Sequence, residues 1–138
     1  MMTHAQMLTY IKDSVKADLS PKYIAASIPD MEDWITQTPF EYEKRVFSVF
    51  MDGVELSDER DEYSFLIRMT LPRIETPETY STLLLDSLRS AIKPSAMGLT
   101  SLASIEAGFL YPGGAPEGGY GSFIDINLVY TRDLDDCD

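Results

Sequence analysis

Cysteine and histidine are nearly missing from this chain, which has one of each, Cys137 and His4. One cysteine builds neither a disulfide framework nor a thiolate metal site. A Ser-His-Asp or Cys-His mechanism would have to run through a histidine beside the N-terminus, far along the chain from Cys137. Bases are scarce too: 11 Lys and Arg stand against 23 Asp and Glu, a net charge of −12. That balance opposes binding to DNA or RNA backbones, whose affinity comes from cations neutralising phosphates. No apolar run approaches the roughly 20 residues needed to cross a bilayer, so no membrane partner is expected. The opening stretch MMTHAQMLTYIKDSV has no basic start, apolar block or small-residue cleavage site, which points to synthesis and residence in the cytoplasm.

Motifs for chemistry are equally thin. The GGYGS stretch joins two strands and opens no helix, so it offers no phosphate cradle. Acids cluster at Asp30, Glu32 and Asp33 and again at Asp58, Glu59, Asp61 and Glu62, without the alternating spacing, central glycine and closing Glu of a calcium loop. The reading is of a protein with no catalytic residues, no metal and no cofactor: not an enzyme.

What is present is a strongly patterned fold. At 138 residues the chain is one domain, 1–138, able to bury a real core. Its organising stretch is Lys44 to Leu71, in which KRVFSVFM and YSFLIRMTL flank an acidic segment, Asp52 to Glu62, with six acids and one Arg. This is a long β-hairpin with a solvated, mobile tip. Ahead of it, Thr3 caps a helix whose stripe of Met7, Leu8, Ile11 and Val15 runs to about Asp18, and Pro21 stops it. Tyr23 to Ile28 alternates as a short strand, ended by Pro29. The stretch DMEDWITQTPFEYE reads as a loop, with Trp34 packed against the domain.

Thr76-Pro77-Glu78 opens a second helix to about Ile92, with Tyr80, Leu84, Leu88 and Ile92 facing the core. Leu102 to Tyr111 alternates as a strand, with Ala103, Ile105, Ala107, Phe109 and Tyr111 on one side. A glycine-rich connection follows, and its Tyr111, Gly113, Gly114, Gly118, Gly119 and Tyr120 are taken as a flexible contact loop. The last strand, Ser122 to Tyr130, sets Ile124, Ile126, Leu128 and Tyr130 against Phe123, Asp125, Asn127 and Val129. An acidic tail, 132–138, should fray. The fold class is α+β: a two-layer, mainly antiparallel sheet with two helices on one face.

The outer face of that sheet should be polar, yet Val46, Phe50, Leu66, Phe123 and Val129 fall on it. A neighbouring subunit or long loops of this chain must cover them, and the five are candidate assembly contacts. Asp52, Glu55, Asp58, Glu59, Asp61 and Glu62 are the candidate acidic, partner-facing loop.

In size and layout the chain resembles the tail terminator, or tail completion, proteins of long-tailed bacteriophages. The matching parts are His4 to Asp18, Tyr23 to Ile28, Val46 to Leu71, the TPETY-like start of Pro77 to Ile92, and Ala103 to Tyr130. The resemblance rests on order and hydrophobic pattern, not on an invariant motif. It implies a structural virion protein, made in the bacterial cytoplasm, that forms a homo-oligomeric, hexameric ring through sheet edges and the central hairpin. Such a ring caps the tail tube protein and offers a surface to a head-tail connector or head-completion protein. DNA would cross it only transiently, repelled by an acidic channel wall. The alternative use of the same charge is an acidic DNA mimic that occupies the basic groove of a host nucleic-acid-binding protein.

Overall fold

The computed structural model describes residues 2–36, 44–72, 75, 77–110 and 122–134. Two helices, α1 (His4–Ala25) and α2 (Pro77–Ser90), pack on one face of a five-stranded sheet. The strands are β1 (Asp33–Thr36), β2 (Val46–Glu55), β3 (Arg60–Leu71), β4 (Ser101–Leu110) and β5 (Ser122–Asp133). Their spatial order is β1-β2-β3-β5-β4, with β1 parallel to β2 and every other pairing antiparallel. The α+β class with two helices on a mainly antiparallel sheet is therefore as read from the sequence.

Helix α1 starts as expected. The Thr3 hydroxyl accepts from the Gln6 amide while the Gln6 side chain accepts from the Thr3 amide, a reciprocal capping box. It does not stop at Pro21. The stripe Met7, Leu8, Ile11, Val15 continues through Leu19 to Tyr23, all essentially inaccessible, and Pro21 sits on the solvent side. Losing one backbone bond and seating the ring costs about 3 kcal/mol. Burying Leu19 and Tyr23 recovers about 1.5–3 kcal/mol for each side chain. The expected strand over Tyr23 to Ile28 is accordingly the last turn of α1 and its cap. There the Ile28 amide donates to the Tyr23 carbonyl and the Ser27 amide to that of Ile24, a Schellman closure that forces Ser27 to φ 58°.

The expected loop around Trp34 is β1. It pairs in parallel with β2, Trp34 against Phe47, and the two rings meet in a tilted contact with centroids 4.9 Å apart. Arg45 fastens this corner: its Nε donates to the Asp30 carbonyl at 3.0 Å, and a guanidinium nitrogen lies 3.3 Å from Glu75. The capping role expected of Thr76 falls outside the described residues, but the helix it precedes buries Tyr80, Leu84 and Leu88 as expected.

On the helix side of the sheet, Phe47, Val49, Phe65, Ile67, Met69, Leu71, Ile124, Ile126, Leu128 and Tyr130 form the floor of one core. The alternation of β5 matches its sequence pattern, and the strand runs on to Asp133, so Arg132 and Asp133 of the tail expected to fray are paired. In β4 a bulge at Ala103 shifts the phase. Leu102, rather than Ala103, joins Ile105, Ala107 and Phe109 on the helix side.

Three tyrosines, Tyr23, Tyr80 and Tyr130, are buried in or against the core. Tyr23 and Tyr80 meet edge to face at 5.3 Å, and Tyr80 donates to the Pro29 carbonyl at 3.1 Å. Burial pushes Tyr80 up to about 12 and raises Tyr23 and Tyr130 further. These folded-state values lie above the unfolded ones, so their contribution to stability is complete below about pH 10 and is lost as pH rises through the folded range. Absorbance titration should show Tyr23, Tyr80 and Tyr130 ionising only together with alkaline unfolding. Ionisation of these three while the protein remains folded would contradict this.

The left-handed Ser27 gives a second prediction. Ser27→Gly should stabilise the protein by roughly 0.5–1 kcal/mol in chemical denaturation, and Ser27→Val should destabilise it, because a β-branched residue resists positive φ.

Candidate interaction surfaces

The open face of the sheet is built by the side chains that alternate with the core set. Five positions were expected to lie uncovered there. Val46 and Phe123 do not: they are 4% and 7% exposed within the single chain, so a neighbouring subunit is not needed to shield either. Arg68 explains part of this. It stands directly across from Asp125, with Nε and Nη2 donating to the two carboxylate oxygens at 2.6 and 2.7 Å, and its guanidinium lies 4.5 Å above the Phe123 ring. A planar guanidinium suits both contacts at once. The register that joins these two residues across 57 positions could not be read from either strand alone.

Phe50, Leu66 and Val129 remain half-buried. Phe50 and Leu66 are direct cross-strand partners, and Val129 lies one row further toward the hairpin tip on β5. Together they make a small apolar patch on β2, β3 and β5.

The acidic segment beyond them is more ordered than expected. A bulge at Asp52 re-phases β2, after which Gly53, Val54 and Glu55 pair with Ser64, Tyr63 and Glu62. Only Leu56 to Glu59 connect the strands. The Ser57 hydroxyl donates to the Arg60 carbonyl and accepts from the Arg60 amide, closing the turn.

The six acids divide. Asp61 faces the helix side, is 3% exposed, and accepts from Arg132 at 2.9 Å. It is a structural ion pair and not part of a partner-facing loop. Asp52, Glu55, Asp58 and Glu59 are exposed and Glu62 is half-exposed, and none of the five makes an ion pair among the described residues. Glu55 and Glu62 oppose one another across the ladder, an arrangement that destabilises a sheet. At the apex Leu56 is 71% exposed and Val54 38%.

The contact loop read at Tyr111, Gly113, Gly114, Gly118, Gly119 and Tyr120 lies outside the described residues. Beside α1, Met2, Ala5, Gln6, Thr9 and Tyr10 line a shallow, mostly apolar hollow of about 390 Å³ with no charged group. Among the described residues no three His, Cys, Asp or Glu side chains gather to hold a metal, and no helix is long and apolar enough to cross a membrane. Comparison of the chain with protein-family models and with curated proteins finds no match.

The two classes of acid separate by experiment. Asp61→Ala should cost about 1–2 kcal/mol, since it removes a buried carboxylate that accepts from the partly exposed Arg132 guanidinium. Glu62→Ala, at the next position, should be neutral or slightly stabilising because it removes a like-charge pair. Equal losses for the two in urea denaturation would contradict this division.

Proposed function

We propose that this protein is a ring-forming structural subunit of a long-tailed bacteriophage virion, of the tail terminator kind. In this reading it caps a tail tube and presents a joining surface to a head connector. The observation that carries the reading is the coincidence of an apolar patch, formed by Phe50 and Leu66 of the central hairpin with Val129 of the adjoining β5, and an acidic hairpin end that the fold does not neutralise. A free monomer gains nothing from Glu55 facing Glu62. A subunit whose hairpin borders a DNA passage does gain, because repulsion keeps the phosphate backbone from adhering to the wall. The element order of helix, strand, hairpin, helix, hairpin is also the layout of that kind of protein.

In the ring, the apolar patch seats against a neighbour and the hairpin ends point toward the channel. No bond-making step is assigned to any residue. Chemistry is replaced by shape, by a heterologous contact that closes on itself, and by field.

Native mass spectrometry of the protein mixed with tail-tube subunits should give a closed assembly of about six copies, the number the tail terminator resemblance implies. The fourfold variant Glu55→Lys, Asp58→Lys, Glu59→Lys and Glu62→Lys leaves the Asp61–Arg132 pair intact. It should assemble but slow DNA delivery, and added salt should relieve the slowing as screening weakens the new attraction. Normal delivery by this variant would remove the electrostatic part of the reading. A protein that ignores tube subunits and inhibits a DNA-binding enzyme would replace the whole reading with that of a DNA mimic.

A further inference from the structure

Strand β4 pairs with β5 on one side and, among the described residues, with no strand on the other. It is long for an edge strand and carries one charge, Glu106, in a chain of net charge −12. Natural edge strands are blunted by Lys, Pro or inward charges, and β4 between Ser104 and Leu110 has none of these. The helix layer also stops short of it. Ile105, Ala107 and Phe109 lie on the helix side, opposite the fully buried Leu128, Ile126 and Ile124, yet Ala107 is exposed and Phe109 is 43% exposed.

Gly108 adds an independent observation. It sits inside the strand, two residues from its end, where glycine weakens pairing, and a Cβ built there would meet nothing within 4 Å. Among the described residues nothing accounts for the missing side chain.

We propose that β4 is a homodimer seam, pairing antiparallel with β4 of a second copy about a two-fold axis that passes beside Ala107. The register follows from the side chains. With Ala107 opposite itself, Ile105 meets Phe109 of the other copy on the helix side, and this apolar contact occurs twice. On the open side Glu106 falls opposite Gly108, again twice, so each carboxylate extends over a residue with no side chain. Sliding by one pair, so that Glu106 sits on the axis, sets Glu106 against Glu106, which cross-strand electrostatics disfavours. The opposite slide sets Phe109 against Ala107 and loses the Ile105–Phe109 contact. The pairing from 104 to 110 also avoids the bulge at Ala103. One strand serves both sides because the contact is isologous, so it closes at two copies.

This seam does not rest on the virion reading. Strands β2 and β3 lie beyond β5 from it, so the hairpin stays free in the dimer.

The test uses the full chain with Cys137→Ser. Directly opposed residues in an antiparallel pair have Cα atoms about 4.5–5.5 Å apart, within disulfide reach. Ala107→Cys should therefore cross-link to a covalent dimer on mild oxidation, while Ala103→Cys, off the axis, should not. Sedimentation equilibrium then reads the charge register. Gly108→Lys, which sets a cation opposite Glu106 twice per dimer, should tighten association about tenfold at low salt, and Gly108→Glu should weaken it about tenfold. Both substitutions lie where the subunit has open space, and circular dichroism should show unchanged folding. A chain that stays monomeric at high concentration overturns the proposal. So does Ala107→Cys that fails to cross-link, or a pair of Gly108 variants that leave association unchanged or shift it in the same direction.

Discussion

The pairing of β3 with β5 holds this molecule together. Its ladder runs without interruption from Arg60 opposite Asp133 to Leu71 opposite Ser122, and it joins the two halves of the sequence. Two ion pairs pin its register from opposite faces. Arg68–Asp125 lies on the open side and Asp61–Arg132 on the helix side. A slip by one residue would carry every side chain of a strand to the other face, which would break both pairs and expose Ile124, Ile126 and Leu128. Neither pair needs to be strongly stabilising by itself to make wrong registers costly. In the folded protein the helices lie on a floor whose register these two strands set.

The parts of the fold that were legible in the sequence are those governed by a single period. The alternations in β3 and β5 and the four-residue stripe of α2 all point the way the structure places them, because burial of one face decides each of them locally. Legibility failed where a local breaker competed with a longer pattern. Pro21 reads as a stop, but the stripe from Ile11 through Leu19 to Tyr23 continues past it, and buried area outweighs one missing backbone bond. Trp34 reads as part of a loop because β1 is only four residues long, and its partner strand lies across a segment whose length hides the pairing.

The candidate surfaces were half legible for a related reason. The run of acids is visible in the sequence, but their division is not, since it depends on which side of β3 each one occupies. Asp61 is taken into the structure by Arg132, while Glu62, its neighbour, is left facing Glu55. On the open face, the apolar residues at Val46 and Phe123 looked like an unmet need for a partner, whereas the chain shields both itself. What remains is a smaller patch, at Phe50, Leu66 and Val129, and an edge strand. The edge strand was readable as a strand, though its place at the margin of the sheet was not. That placement follows only from β5 inserting between β3 and β4.

The same insertion governs the order in which the protein can be built. Until residues 122–133 leave the ribosome, β3 is itself an edge, its Arg68 and Asp61 lack their partners, and β4 has no strand to pair with. The hairpin of β2 and β3 and the two helices can gather early, but the sheet closes last, through contacts far apart in sequence, and such closures are slow. For that interval the nascent chain carries an open apolar edge on β3 and an unpaired β4, which makes it a natural client for a chaperone that holds extended segments.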